Sequence, residues 1–280
     1  RVKDPCIIIA DADIVEEKNL IRQRFSDGDL GENKAVALAR RYGSVFGVHI
    51  KAYDDYIKET SELLSILKEE APNDGPIIIV GAVDNHRARA VMFDTFMSLD
   101  REVWWVDAGN ETWHGQVIAG CRNVRAFPDS PHWTVQKMGG EVGNVDLPCF
   151  FDIFPEEFDK VLDTPLVPQN TCAIQAEENP QTIHANSLSA QCASNLVTQI
   201  LEGNIRTMSL NFDAKIGAVS ARVLTRTNIA LGYIEMSESR NKLRKAIKSL
   251  NENEEARGDE ASKYNSLWLS EDVGQLFTGV

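Results

Sequence analysis

The sequence predicts an α/β fold in which a mostly parallel sheet carries helices on both faces. Residues 6–10, 77–80 and 102–106 are short, almost purely apolar runs of the kind that form fully buried strands. Segments with helical spacing separate these runs, and a strand that is apolar on both faces needs helices on both sides of its sheet. The alternation of such strands with helices therefore favours parallel strand pairing.

The remaining elements follow from periodicity and turn residues. Residues 57–70 have apolar side chains at amphipathic helical spacing, and the turn sequence NDGP at 73–76 separates this helix from the next strand. Residues 121–170 contain many prolines, glycines and aromatic residues with little periodicity, which predicts a long loop. The other expected elements are helix 31–42, strands 49–53 and 116–119, a helix ending at Ser98, helix 185–201, a hairpin of 206–212 with 218–224, and a peripheral polar helix at 235–256.

Composition and charge limit the function classes. The 280 residues include 29 basic and 42 acidic side chains, and the net charge of -13 opposes nonspecific encounter with nucleic acid or anionic membranes. No apolar stretch approaches the roughly 20 residues that span a bilayer, and residues 1–13 do not resemble a signal peptide. The five cysteines are scattered without a Cys-x-x-Cys pair, so we expect no structural zinc site and a cytoplasmic location.

Aspartates follow three of the predicted strands directly. Asp11, Asp84 and Asp107 each come after a buried run, and ligands of open α/β sheets bind beyond the carboxyl ends of the strands. A carboxylate at the first of these positions can accept hydrogen bonds from both hydroxyls of a nucleotide ribose. An aspartate there is also a common cap for the next helix, so both interpretations stay open.

Two cations follow the first of these aspartates at short spacing. Arg22 lies eleven residues after Asp11, and Lys34 lies twelve residues further along. If both return to the sheet edge, they can hold a triphosphate and stabilise the negative charge that develops at its α-phosphorus. Taken singly, each is more often a solvated surface charge.

Two adjacent segments carry a family signature. Residues 11–25 (DADIVEEKNLIRQRF) and 27–35 (DGDLGENKA) resemble that of the ThiF/MoeB and ubiquitin-activating superfamily, with an acid-x-acid turn, Asn-Leu-x-Arg-Gln, an acid, a glycine and a lysine. Residues 77–87 (IIIVGAVDNHR) and 105–117 (WVDAGNETWHGQV) resemble two later segments of the same superfamily. The similarity covers residues 6–225 and is greatest to the ThiF-family proteins encoded with bacterial PRTRC systems.

The resemblance implies a Rossmann-like fold and an ATP site built mainly from the first signature. Asp11 would accept the ribose hydroxyls, with Asn19 and Gln23 nearby. Arg22 and Lys34 would contact the phosphates and support the transition state. Each of these roles is carried over from the matching position of the family motif.

The resemblance also implies a metal and a reaction. Asp84 would help to hold Mg²⁺ between phosphate oxygens, whereas the residues alone leave open that it caps the following helix. The implied activity is ATP-dependent adenylation of the C-terminal carboxylate of a ubiquitin-like or sulfur-carrier protein by a homodimer. We therefore expect an adenylation core at 1–120, a crossover loop region at 121–184, the rest of that domain at 185–234, and a peripheral helix and tail at 235–280.

A cysteine could accept the acyl group as a thioester after adenylation. Cys172 lies in a polar segment about where the family has its thioester or persulfide cysteine, but a structural thiol is the other interpretation. Cys192 lies on an apolar helix face and Cys6 within a strand, so both are expected in the core. Cys121 and Cys149 flank the long loop and stay possible nucleophiles.

One part of the family pattern is missing from the sequence. The family's first strand and glycine-rich loop precede the acid-x-acid turn, and we expect them upstream of residue 1. Residues 139–143 (GGEVG) cannot substitute, because no predicted strand precedes them. Other functions left open are adenylation of a different carboxylate or amide, a non-catalytic partner subunit of the same fold, and a nicotinamide-dependent dehydrogenase, which leaves Arg22 and Lys34 unexplained.

Overall fold

A computed structural model describes residues 5–71, 75–124, 145–161, 182–224 and 228, without the side chains of residues 22, 145 and 159. The predicted helix at 235–256 lies outside this part of the chain. The strands are β1 (Ile7–Ala10), β2 (Ile50–Tyr53), β3 (Ile77–Gly81), β4 (Val103–Asn110), β5 (His114–Val124), β6 (Val145–Leu147), β7 (Thr207–Asp213) and β8 (Ala218–Val223). The helices are α1 (Glu17–Arg22), α2 (Lys34–Phe46), α3 (Thr60–Glu70), α4 (His86–Ser98), α5 (Phe150–Ile153) and α6 (Ile183–Leu201), with 3-10 helices at Asp27–Asp29 and Pro155–Val161.

The strands form two sheets. β1 and β2 pair in parallel, with Ile7 opposite Ile50, and β3 pairs in parallel with β4. The larger sheet has the order β3-β4-β5-β7-β8, in which every pair after β3/β4 is antiparallel and β6 pairs with β5. The predicted α/β class is confirmed, with parallel strand pairs joined by helices in the first half and an antiparallel hairpin, β7/β8, at the end.

Strand β5 differs most from its prediction. It covers eleven residues and pairs antiparallel with β4, whereas the sequence indicated only residues 116–119. Only three residues connect β4 to β5, and a parallel pair would need a crossover of a dozen or more. The predicted loop region accordingly begins inside β5 and contains β6, α5 and a 3-10 helix; residues 125–144 and 162–181 are not described.

Helices cover both faces of the larger sheet, as the sequence predicts. Alternate residues of β4 face opposite cores: Trp104 packs with the buried face of α6, and Trp105 packs with α4 and α5. Both tryptophans are 1% exposed, which confirms β4 as a strand buried on both faces. On the Trp105 side, Phe93, Phe151 and Phe158 stack edge to face, with ring centroids 5.4 Å and 5.2 Å apart.

The smaller sheet is less covered than the sequence suggests. Residues Ile7–Ile9 of β1 are only half-buried, and Ala10 is exposed. Helix α2 packs on β1 and β2, and α3 packs mainly against α4. Within the part of the chain that is described, no helix is both long and apolar enough to cross a bilayer.

Candidate active site

The end of β1 places Asp11 beside the end of β2. The Asp11 N–H donates to the carbonyl oxygen of Tyr53 at 3.1 Å, so the parallel ladder continues one residue beyond β1. Its carboxylate Oδ1 accepts a hydrogen bond from the Asp13 N–H at 2.9 Å. The N-cap of α1 is Glu16, so the structure does not use Asp11 as the cap of the next helix.

The charges around Asp11 define its electrostatic setting. Burial raises the pKa of the Asp11 carboxyl above its ordinary value. The Asp13 N–H and the positive charge of Lys34 offset part of this rise, while the negative charges of Asp13 and Asp84 add to it. Asp11, Lys34 and Asp84 therefore lie close enough for their charges to interact.

Helix α2 carries Lys34 to this region because its N-terminus is fixed to the turn after β1. The Asn33 amide Nδ2 donates to the carbonyl oxygens of Asp11 at 2.7 Å and Asp13 at 3.2 Å. The Asn33 Oδ1 accepts from the Val36 N–H at 3.1 Å and so caps α2, as asparagine commonly does. The Lys34 N–H donates to the Asp13 carbonyl oxygen at 2.8 Å. Lys34 is therefore the first residue of α2, and these hydrogen bonds fix it next to the acid-x-acid turn.

The Lys34 ammonium group contacts Asp13 in a partly buried ion pair. Lys34 Nζ lies 2.8 Å from Asp13 Oδ2, and the two side chains are 10% and 49% exposed. The Tyr56 hydroxyl donates to the other carboxylate oxygen of Asp13 at 3.1 Å. Burial would raise the pKa of Asp13, but the hydrogen bonds and charge of Lys34, together with Tyr56, lower it overall. We call Asp11, Asp13, Lys34, Tyr56 and Asp84 the edge cluster.

Asp84 lies in the loop between β3 and α4 and is exposed. The cap of α4 is Asn85, whose Oδ1 accepts from the Ala88 N–H at 2.7 Å, so helix capping does not account for Asp84. Among the described residues, no group of three or more His, Cys, Asp or Glu side chains is placed to hold a metal ion. A magnesium ion at Asp84 would consequently need phosphate and water ligands, which is the usual environment of nucleotide-bound Mg²⁺.

The other residues of the first signature lie on or just after α1. The Asn19 side chain is nearly buried, and its Oδ1 accepts from the Glu16 N–H at 2.8 Å, closing the cap of α1. Gln23 follows α1, and its buried Oε1 has no hydrogen-bond partner. A buried acceptor without a donor is costly, and a ligand hydroxyl would satisfy it. Arg22 ends α1, but its side chain is not described.

Asp107 does not follow the end of its strand as predicted. β4 continues to Asn110, because its pairing with β5 places Asp107 opposite Ile118 within the hairpin. The Asp107 side chain is 2% exposed and contacts Arg89, whose Nε lies 3.2 Å from each carboxylate oxygen. Burial raises the pKa of Asp107 to about 6 despite the arginine beside it.

A comparison with family models decides the family. The model of the ThiF family matches residues 6–228. The chain belongs to the ThiF family. The resemblance predicted from the sequence motifs is thereby confirmed, over nearly the same residues. A comparison with curated proteins found no match.

Solved structures to which the chain is similar include PaaA and, from E. coli, MccB. Selenomethionine PaaA is 12% identical, with a TM-score of 0.46, over 77% of this chain and 63% of PaaA. MccB is 12% identical, with a TM-score of 0.47, over 79% of this chain and 56% of MccB. MccB in a structure with ATP is 14% identical, with a TM-score of 0.44, over the same shares. The chain thus spans less than two thirds of these proteins.

The cysteines of this ThiF-family protein occupy different environments. Cys172 lies outside the described residues. Cys121 and Cys149, which flank the predicted loop, are both fully buried, and burial raises the pKa of Cys121 well above its ordinary value. A buried thiol of high pKa is a poor nucleophile. Cys192 lies in the core as predicted, but Cys6 precedes β1 and is exposed, so its expected burial was wrong.

Three residues of the region were not predicted as site residues. Asp13 is the second acid of the acid-x-acid turn, and Asn33 directly precedes Lys34, so both had a local signal in the signature itself. Tyr56 had none, because it reaches Asp13 only through the pairing of β1 with β2.

Proposed function

We propose that this ThiF-family protein binds ATP with magnesium at the edge cluster and adenylates the C-terminal carboxylate of a ubiquitin-like or sulfur-carrier protein. Membership of the ThiF family supports an adenylation reaction. The observation that carries the proposal is the Lys34–Asp13 ion pair directly beside Asp11, with the charge of Asp84 acting on the Asp11 carboxylate. This arrangement of carboxylates beside a cation supports one shared site for the ribose, the metal and the phosphates.

Asp11 is the proposed ribose-binding residue. It lies at the carboxyl end of a parallel strand, where nucleotides bind in open α/β sheets. Its carboxylate accepts one backbone hydrogen bond, and an ionised carboxylate has lone pairs for several more. Asn19 and the buried Gln23 Oε1 are proposed to lie close to the same nucleotide, where a hydroxyl donor would satisfy the glutamine acceptor.

Lys34 and Arg22 are the proposed phosphate ligands. The Lys34 side chain is 10% exposed, so its charge acts through a less polar medium than water and attracts a phosphate more strongly than a surface lysine would. Asp13 orients the Lys34 ammonium group, and the Tyr56 hydroxyl in turn fixes the Asp13 carboxylate. A cation that is already oriented needs little reorganisation as charge develops during displacement.

Asp84 is the proposed carboxylate ligand of Mg²⁺. When bound, the ion would neutralise charge on the phosphate oxygens. The exposure of Asp84 in the loop after β3 leaves room for the waters and phosphate oxygens that must complete its coordination.

In the proposed reaction, an oxygen of the substrate carboxylate attacks the α-phosphorus of ATP. A new P–O bond forms to that oxygen, the bond to the bridging oxygen breaks, and pyrophosphate leaves with the electron pair. The product is an acyl-adenylate. Where a thioester follows, the Cys172 thiolate attacks the acyl carbon and AMP leaves; this second step rests on the family resemblance alone.

ATP–pyrophosphate exchange with the full-length protein tests the proposal. We expect exchange that requires both Mg²⁺ and a candidate ubiquitin-like or sulfur-carrier protein with a free C-terminus. Removal of the carrier's last residue should abolish it. Exchange that is absent with every carrier, in a preparation that also fails to bind ATP by calorimetry, would refute the proposed function. ATP binding without exchange would instead favour the non-catalytic partner subunit.

A further inference from the structure

A buried ion pair lies beside the loop that carries Asp84, and none of the proposed steps uses it. Arg89 of α4 and Asp107 of β4 are 8% and 2% exposed at their side chains. Arg89 Nε lies 3.2 Å from both oxygens of the Asp107 carboxylate. Burying two charges costs desolvation free energy, and such pairs are weak contributors to stability compared with apolar side chains of similar volume. Their presence here calls for a role other than stability.

The Arg89 guanidinium connects three elements at this point. Besides Asp107, its Nη2 donates to the carbonyl oxygen of Val83 at 2.8 Å, and Val83 directly precedes Asp84 in the loop after β3. Its Cζ also lies 5.0 Å from the ring centroid of Phe150 in α5, a cation–π contact. The guanidinium therefore links β4 and α5 to the backbone of the loop.

Glycine residues in β3 and β4 leave space for the Arg89–Asp107 ion pair. A Cβ on Gly81, at the end of β3, would lie 2.9 Å from Met92 Cε and 3.1 Å from Asp107 Oδ1. A Cβ on Gly109, in β4, would lie 3.3 Å from Arg89 Nη2. Side chains at either position would press on the ion pair, so the backbone fits closely around it.

The Asp84 side chain is weakly constrained by its own contacts. Its carboxylate is exposed, and the contact with the Asn85 amide is long, at 3.5 Å. Its position depends on the backbone on either side: the Arg89–Val83 hydrogen bond before it and the Asn85 cap of α4 after it. Removal of the first anchor would free the loop at the residue next to Asp84.

We propose that Arg89 and Asp107 are positioning residues, which fix the Val83 carbonyl so that the Asp84 carboxylate faces Asp11 and the bound magnesium nucleotide. This inference rests on the proposed function, in which Asp84 is the metal ligand. Altering a residue that positions a metal ligand typically lowers metal affinity by about 10- to 100-fold. Arg89 acts through the loop backbone and touches neither nucleotide nor substrate.

Arg89→Lys is the main test, because lysine keeps the charge but lacks the fork that reaches Asp107 and Val83 together. ATP binding to the full-length protein is measured by calorimetry over a Mg²⁺ series. We expect half-saturating Mg²⁺ to rise about tenfold, with ATP affinity restored at saturating Mg²⁺. Hydrogen exchange of the amides at 82–85 should become faster. Arg101→Lys is the matched control, since Arg101 Nε also donates to a backbone carbonyl, that of Gly75, in the turn before β3.

The two readouts separate the inference from the proposed function. A folded Arg89→Lys protein with unchanged Mg²⁺ dependence and unchanged loop exchange overturns the inference. If the arginine variant does not fold, Asp107→Asn decides by the same criteria, because asparagine keeps the shape and one acceptor oxygen. A wild-type protein that binds no magnesium nucleotide refutes the proposed function and the metal role with it, while loop exchange still measures whether the pair fixes the loop.

Discussion

Replacement of Lys34 by methionine should separate stability from activity. Methionine has a similar length and no charge, so it keeps the packing of a side chain that is 10% exposed. The change removes the ion pair with Asp13 and the cation proposed for the phosphates. These two losses differ in size, and the structure allows each to be worked out.

The stability cost should be small. At the 2.8 Å separation of Nζ and Oδ2, Coulomb's law gives about 1.5 kcal/mol at the dielectric constant of water and about 6 kcal/mol at an effective value of 20, but the desolvation cost of burying the Lys34 ammonium group offsets most of the larger figure. Ordering of the two side chains offsets part of this, and Asp13 is 49% exposed, so the net contribution should stay below about 1 kcal/mol. For a protein of this size, that corresponds to a fall in Tm of at most about 2–4 °C.

The activity cost should be large. Loss of one preoriented positive or hydrogen-bonding group at developing charge typically lowers a rate by about 10²- to 10³-fold. Lys34→Met is therefore expected to lose about that factor in carrier-dependent ATP–pyrophosphate exchange while it unfolds within a few degrees of wild type. Lys51→Met is the matched control: Lys51 also pairs with a carboxylate, that of Glu70, but does so from within β2 to the last residue of α3. Exchange by folded Lys34→Met within about threefold of wild type would refute the role of Lys34.

Three further changes test the geometry and the packing. Asp84→Asn should lower the pKa of Asp11, because it removes a negative charge that raises that pKa; ¹³C NMR titration of the carboxyl measures this, and an unchanged value would mean that the two groups do not interact. Gly120→Ala should destabilise the protein by about 1–3 kcal/mol in denaturant unfolding, because its Cβ would lie 2.6 Å from the Cβ of buried Cys149, where neither backbone can yield cheaply. Asp107 should make stability depend on pH: its native pKa of about 6 exceeds the unfolded value, so between about pH 4 and pH 6 the native state keeps a proton that the unfolded state has released. The free energy of unfolding of wild type relative to Asp107→Asn should hence fall by about 3 kcal/mol as pH rises through that window, and a rise or no change would contradict the assignment.

The elements predicted well are those in which burial alone sets the pattern. β3 was predicted at 77–80 and covers Ile77–Gly81, and the helix predicted at 185–201 covers Ile183–Leu201. An apolar run fits a strand buried on both faces, and a repeated apolar stripe fits a helix packed on one side. Both signals are local, so a single sequence carries them.

The elements missed depend on contacts between distant segments. α5 and the following 3-10 helix form where Phe150, Phe151 and Phe158 pack on the Trp105 face of the sheet, and their closely spaced aromatic residues have no clear period. The full length of β5 follows from its register with β4 and β7. Tertiary packing decides such segments, and local propensity does not.

The charge balance of the edge cluster argues for the metal as part of the site. Among the described side chains, the charged groups that act on Asp11 are one ammonium group, from Lys34, and two further carboxylates, from Asp13 and Asp84. Asp13 already neutralises Lys34 through the ion pair, so these four groups together are negative at neutral pH. A triphosphate brought to them would be repelled unless further positive charge arrives with it. The proposal provides two sources of positive charge, a magnesium ion next to Asp84 and the guanidinium of Arg22. The acidic residues therefore suit a metal–nucleotide complex better than a free nucleotide.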